Sequence, residues 1–337
     1  MARLKTIQSL QAGRGLAALA VVCHHANQAG HDFGREHLDV WPLQMGYLGV
    51  DFFFVLSGFI IYHSTAGRGR SGKDYALARF RRVYLPYLPM GIGVALLYTL
   101  FPTLSGGNRH WSWLPTLTLL PVSANTALYV AWTLKHEILF YGIFGLLYFF
   151  RALWPGLLVW GLLIAGATIA GVKDVVPVAP INLEFLMGIA IAMLYRAGHG
   201  HWGLFLLAPI PFAVWLWLGA ERDWSVLVGL SLALIILPLT QLEAQGRFKV
   251  PALLTFLGAA SYSIYLAHGM GVSLAARLVR NRPYWMVATA TIATGVALGL
   301  AYFFIVERTV LRVAPGDKRR QRLTGEEPPL PTSSSAS

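Results

Sequence analysis

The chain has 337 residues, of which 56% are hydrophobic and 12% charged, with a mean hydropathy of +0.56. A soluble globular domain carries about 25% charged residues, so the composition excludes an ordinary soluble protein and leaves no room for a large soluble domain beside the apolar part. The formal net charge is +12, but the basic residues collect at the ends of apolar segments, the pattern of a multi-pass membrane protein and not of a nucleic-acid binder.

Ten apolar stretches are expected to cross the membrane: 7–29, 46–64, 84–102, 127–150, 154–171, 180–196, 203–219, 223–241, 252–276 and 285–307. Each has about 17–25 residues, enough for about 30 Å of hydrocarbon. The expected fold class is an all-α polytopic integral membrane protein with one transmembrane domain over residues 1–312. Residues 313–337 are rich in Pro, Ser, Thr and charge, and such a tail is expected to be disordered and cytoplasmic.

The first stretch carries Arg14 and His25. Eleven helical residues turn about 1100°, which brings the two side chains within about 20° on one face, roughly 16 Å apart along the axis. Ionisable residues inside a span are costly, so this stripe is a candidate functional site. His24 lies about 80° off it and is expected to be structural. These charges, and the lack of a small-residue cleavage site, argue against a cleaved signal peptide. Cys23, the single cysteine, excludes an internal disulfide and reads as a packing residue.

The second stretch holds Asp51 and Ser57. The loop after it holds Arg68, Arg70, Lys73, Arg79, Arg81 and Arg82. Residues 67–73, GRGRSGK, match a phosphate-loop spacing, but Asp74 stands where Ser or Thr is required and a span precedes them in place of a strand. Residues 111–122 look interfacial and too short to cross. The fourth stretch holds Lys135, His136 and Glu137, the sixth Glu184, the ninth His268. Gly295 and Gly299 in the tenth read as a helix-packing pair.

Lys/Arg counts set the orientation. With both termini inside, eighteen basic residues face the cytoplasm and seven face out, Arg14 and Lys135 being intramembrane. Arg277, Arg280 and Arg282 crowd one outer loop against this rule. In that frame Arg14 lies in the inner half above the basic loop, while His25, Asp51, Lys135, His136, Glu137, Glu184 and His268 share an outer layer. A cationic inner mouth suits a polyphosphate such as coenzyme A. A neutral histidine suits a general base on a hydroxyl, oriented by a carboxylate. His24, His25, His268 and Glu137 fit no metal-ligand spacing, so no metal is expected.

At these residues the chain resembles the membrane-bound acyltransferase family 3, the bacterial O-acyltransferases of surface and exopolysaccharides. RGLAALAVVCHH (14–25) is similar to the family's Arg-x10-His, selecting His25 over His24. GYLGVDFFFVLSGFII (46–61), RFRRVYLP (79–86), WTLKHEILFY (132–141) and LGAASYSIYLAHG (257–269) resemble four further motifs in the right order. Leu85 separates Tyr84 from Pro86 where many members place Pro directly, and Lys135 and His136 are unusually charged for their motif. NLEFLMG (182–188) and the length look most like the exopolysaccharide acetyltransferase branch.

The resemblance implies an enzyme of the bacterial inner membrane. It would move an acyl group, acetyl by the branch, from cytoplasmic acyl-CoA to a sugar hydroxyl of a polysaccharide or its lipid-linked precursor. Acyl-CoA would be a co-substrate, with no tightly bound cofactor. His25 is then the expected general base or acyl relay, Glu137 its supporting carboxylate, and Arg14 a stabiliser of the thioester or pantetheine. Arg79 and Arg82 would hold CoA phosphates, and Asp51, Ser57, Glu184 and His268 would shape the site. The rival reading is a proton-coupled transporter, which ten spans with midplane charges also describe; the lack of a repeat between the two halves speaks against it.

Overall fold

Apolar runs of helical length, punctuated by Gly, Pro and short polar loops, fold as helices throughout the computed structural model, which describes residues 7–69, 71–105, 110–172 and 175–313. No β-strand occurs among these residues. Arg3, Lys5, Arg70, Arg109, Lys173 and the tail from residue 314, all part of the charge-based reading above, lie outside them.

The helices run in order α1 Gln8–Phe33, α2 Trp41–Gln44, α3 Gly49–Thr65, α4 Gly72–Leu100, α5 Trp113–Thr118, α6 Trp132–Phe149 and α7 Leu153–Ile169. They continue with α8 Asn182–Arg196, α9 Leu204–Leu207, α10 Pro209–Trp217, α11 Val226–Ala244, α12 Ala252–Leu278, α13 Tyr284–Tyr302 and α14 Arg308–Val313. Every expected stretch coincides with one of these helices or, for the seventh, with the pair α9 and α10, which break at Pro209. By length and composition, four helical segments among the described residues are long and apolar enough to cross a membrane: Trp41–Thr65, Gly72–Leu100, Val226–Ala244 and Tyr284–Leu311.

Two local differences matter. The basic segment expected as a loop over 68–82 is mostly helix, because Ser71 caps α4: its Oγ accepts from the Asp74 N–H at 3.1 Å and donates to Asp74 Oδ2 at 2.8 Å. The Arg-rich motif is therefore rigid, with Arg79 and Arg82 one turn apart. The second is at the end of α13, where Phe303–Glu307 form a π-helical turn. Such turns are rare and frequently mark functional sites.

Close backbone approaches fix the frame. A Cβ on Gly258 of α12 would stand 1.8 Å from the carbonyl oxygen of Gln11 on α1. A Cβ on Gly188 of α8 would stand 2.0 Å from the Val55 oxygen of α3. Small residues let helices pack this closely where lipid offers no hydrophobic drive. Gly299 does the same for α13 against Ile264 of α12, in keeping with its reading as a packing residue. The result is one group of α1, α12 and α13 and another of α3, α8 and α11. Helices α4 and α6 close the space between them.

Candidate active site

Side chains from α1, α3, α4, α6, α8 and α12 line a central chamber of about 230 Å³. Its ionisable walls include Arg14, Arg79, Arg82 and Glu137, together with Tyr141, Tyr262 and Tyr265. Arg14 Nε donates to Ser261 Oγ at 3.2 Å, so the first helix is tied to α12 at the chamber wall. Arg79 Nη2 donates to Ser64 Oγ at 3.1 Å, and its guanidinium lies over the rings of Tyr141 and Tyr75 at 5.5 and 5.9 Å. Such cation–π contacts hold an arginine in place without neutralising it. With Arg82 paired to Glu307, Arg14 and Arg79 against Glu137 still leave the chamber a net positive charge, which suits an anionic occupant.

Glu137 sits among hydroxyls. Its Oε1 accepts from Tyr141, one turn on along α6, and from Ser57 of α3 at 3.4 Å. The expected support of His25 by Glu137 is not what the structure builds: the His25 ring faces Gln28 and His268, and Glu137 bonds Ser57 and Tyr141. Lys135 does not pair with Glu137 either. Its ammonium donates to the carbonyls of Val122 and Ala124, anchoring the segment after α5. His136 Nδ1 meets Asn182 Oδ1 at 2.9 Å.

Farther along the Arg14 face, toward the C-terminal end of α1, three histidines gather. His25 stacks on His268 with centroids 5.2 Å apart, and His24 meets His25 edge-on at 5.1 Å. His268 is fully buried, and its Nδ1 donates to the backbone oxygens of Tyr265 and Ile264 at 2.7 and 3.2 Å. Its Nε2, buried, has no hydrogen-bond partner among the described residues. The sequence reasoning singled out His268, and the fold brings it against His25.

Asp51 and Glu184, expected to shape the site, do not line the chamber. Both are fully buried. Arg222, from the turn before α11, donates to both oxygens of Asp51 at 2.7 and 3.1 Å, and Ser225 donates to Glu184 at 3.4 Å. Burial works against the Arg222 charge, but the neighbouring Asp51 and Glu184 outweigh it, so this guanidinium holds its proton more firmly than an ordinary arginine. The cluster joins α3, α8 and α11 and reads as a brace beside the site.

Four residues at the site escaped sequence reasoning. Tyr141 and Ser261 lie inside motifs quoted above, and Tyr141 follows Glu137 by four residues, a helical-neighbour spacing. Glu307 accepts from Arg82 Nη1 at 2.8 Å and from Ser263 at 2.6 Å while only 2% exposed. Gln28 lies between the rings of His24 and His25. Among the described residues, no group of three or more His, Cys, Asp or Glu side chains is arranged to hold a metal ion.

The family described as "Acyltransferase domain" matches residues 7–306. The exopolysaccharide production protein ExoZ of Rhizobium meliloti is 31% identical over 312 residues, covering 86% of this chain and 94% of that protein. Protein 2 in the picA locus of Rhizobium radiobacter is 36% identical over 92 residues, 26% of this chain and 42% of that protein. No solved structure matches the chain.

Proposed function

The chain belongs to the acyltransferase domain family and is an O-acyltransferase, and from that premise we propose that it moves an acetyl group from cytoplasmic acetyl-CoA to a hydroxyl of an exopolysaccharide sugar or its lipid-linked precursor. The likeness to ExoZ supports the polysaccharide acceptor. The observation that carries the reading is the face of α1: its Arg14 end opens on the chamber beside Arg79 and Arg82 of α4, and its far end, beyond the chamber's own lining, bears His25 stacked on His268. We read all ten stretches as crossing the bacterial inner membrane with both termini inside, on the distribution of Lys and Arg.

In this reading Arg79 and Arg82 hold the phosphates of the donor, and Arg14 steadies the pantetheine arm and thioester. The arm points toward the histidine cluster. His25 takes the proton from the acceptor hydroxyl as its oxygen attacks the acyl carbon. The carbon–sulfur bond breaks, and the leaving thiolate takes that proton from the imidazolium. The ester remains on the sugar and free coenzyme A departs. General-base help of this kind contributes about 10²–10⁴-fold.

The test is mass spectrometry of exopolysaccharide from cells with and without the protein, alongside thiol release from acetyl-CoA by purified protein. Loss of an O-acetyl group in the deletion strain, with thiol release in vitro, supports the reading. Unaltered polysaccharide and no thiol release, with proton-dependent solute uptake in proteoliposomes, would support the transporter in its place.

A further inference from the structure

Gln28 follows His24 by four residues and His25 by three, the two spacings that bring helical side chains together. The three make a continuous chain. His24 Nδ1 lies 2.7 Å from the carbonyl oxygen of Gln44 at the end of α2. A carbonyl only accepts, so this nitrogen carries the hydrogen. A neutral His24 then has a bare Nε2, which must be met by a donor. Gln28 Nε2 stands there at 3.1 Å, so the amide nitrogen of Gln28 faces His24 and its oxygen faces the other way. That oxygen lies 3.0 Å from His25 Nδ1 and accepts from it. His25 is thereby left with a hydrogen on Nδ1 and a lone pair on Nε2, a nitrogen that none of the described residues bonds.

We propose that Gln28 and His24 are positioning residues: the chain Gln44 C=O, His24, Gln28 fixes the tautomer and ring plane of His25 and presents its Nε2 as the proton acceptor. The proposal rests on the reading of His25 as general base. The direction of every bond follows from one immovable acceptor, the Gln44 carbonyl. An amide has no charge to leave uncompensated when the imidazolium discharges. It replaces the carboxylate that orients the histidine in a serine–histidine–aspartate triad, and it assigns His24, off the Arg14 face, a task beside that face. The ionisable groups around the chain are few. His268 of α12 and Tyr129 face His25, while Tyr47, Asp39 and Arg222 stand near His24.

The experiment combines kinetics with histidine NMR on the full-length protein. A spectrum of ¹⁵N-histidine-labelled protein should show His24 and His25 both protonated on Nδ1 at neutral pH. In Gln28→Leu, kcat for thiol release should fall by about ten-fold or more, with KM for acetyl-CoA and melting temperature unchanged. Gln28→Glu keeps an acceptor for His25 and adds a negative charge that favours the imidazolium. It should recover part of the rate, with the acidic limb of the pH–rate profile moved to higher pH. His24→Phe should resemble Gln28→Leu. An Nε2-protonated His25 in the wild-type spectrum, or a Gln28→Leu protein with wild-type kcat and pH profile, would overturn the proposal. A wild-type rate in His25→Ala would instead remove the base reading, and the NMR spectrum would still judge the tautomer chain by itself.

Discussion

Arg82 and Glu307 are joined at 2.8 Å, from the first half of α4 to the π-helical turn that follows α13. Glu307 is held in turn by Ser263 of α12 at 2.6 Å. The guanidinium of Arg82 also lies over Tyr262 at 5.1 Å and reaches the chamber. One carboxylate thus ties α4 and the middle of α12 to the π-helical turn after α13. It also holds a cation at the chamber wall.

Removing one side of a buried ion pair is expected to cost about 3–5 kcal/mol, because the other charge is left uncompensated. Glu307→Ala should therefore lower the melting temperature in detergent. It should also raise KM for acetyl-CoA toward the value of Arg82→Ala. The double variant should be less destabilised than the sum of the singles, since residues in contact couple. Additive effects would mean that the pair acts as two independent residues.

Arg79 is tied to Ser64 and to two tyrosine rings, with no carboxylate bonded to it among the described residues. Arg79→Ala should weaken acetyl-CoA binding while sparing stability. The salt dependence of binding should flatten in the variant, because screening acts on the charge that has been removed. Isothermal titration at two ionic strengths checks this. An unchanged affinity would return Arg79 to the role of a topology signal.

The positions of the helices were legible in the sequence because apolar runs of spanning length leave little alternative to a helix. The Arg14–His25 face was legible because helical periodicity is a local property. Partner choice was not. Asp51 bonds Arg222, 171 residues away, and Glu137 bonds Ser57 from another helix; neither link leaves a trace in local spacing. The basic loop became helix because one serine cap at Ser71 outweighed the look of a charged connector. Gln28 had the right spacing but resembled an ordinary polar residue near a helix end. Glu307 was hidden because its direction depends on a π turn, which periodicity at 3.6 residues does not anticipate.

Glu137 and Tyr141 test whether the chamber carboxylate is chemical or structural. Tyr141→Phe removes one donor and leaves Glu137 with Ser57. It should lower kcat modestly and leave the stability within about 1.5 kcal/mol of wild type, the usual scale for one hydrogen bond. Glu137→Gln keeps shape and loses charge, and should reduce kcat more than Tyr141→Phe. A Glu137→Gln protein that loses activity only in proportion to its unfolded fraction would assign Glu137 to structure.

Asp51 and Arg222 should behave in the opposite way. Asp51→Asn removes the charge that two Arg222 contacts address. The expected loss falls below the about 3–5 kcal/mol of a fully buried pair, because Arg222 is partly exposed and keeps Glu184 beside it; it is read as an early melt, with KM for acetyl-CoA unchanged in the folded fraction. A rise in KM at normal stability would move the pair from brace to site.

The central claim is that His25, at the far end of the face that begins with Arg14, activates the acceptor hydroxyl. It is tested most directly by thiol release from acetyl-CoA in the presence of saccharide acceptor, with wild type and His25→Ala reconstituted side by side in nanodiscs. The predicted result is a fall in rate of about 10²–10⁴-fold at unchanged melting temperature and unchanged acetyl-CoA affinity. A His25→Ala protein that turns over at the wild-type rate would contradict it.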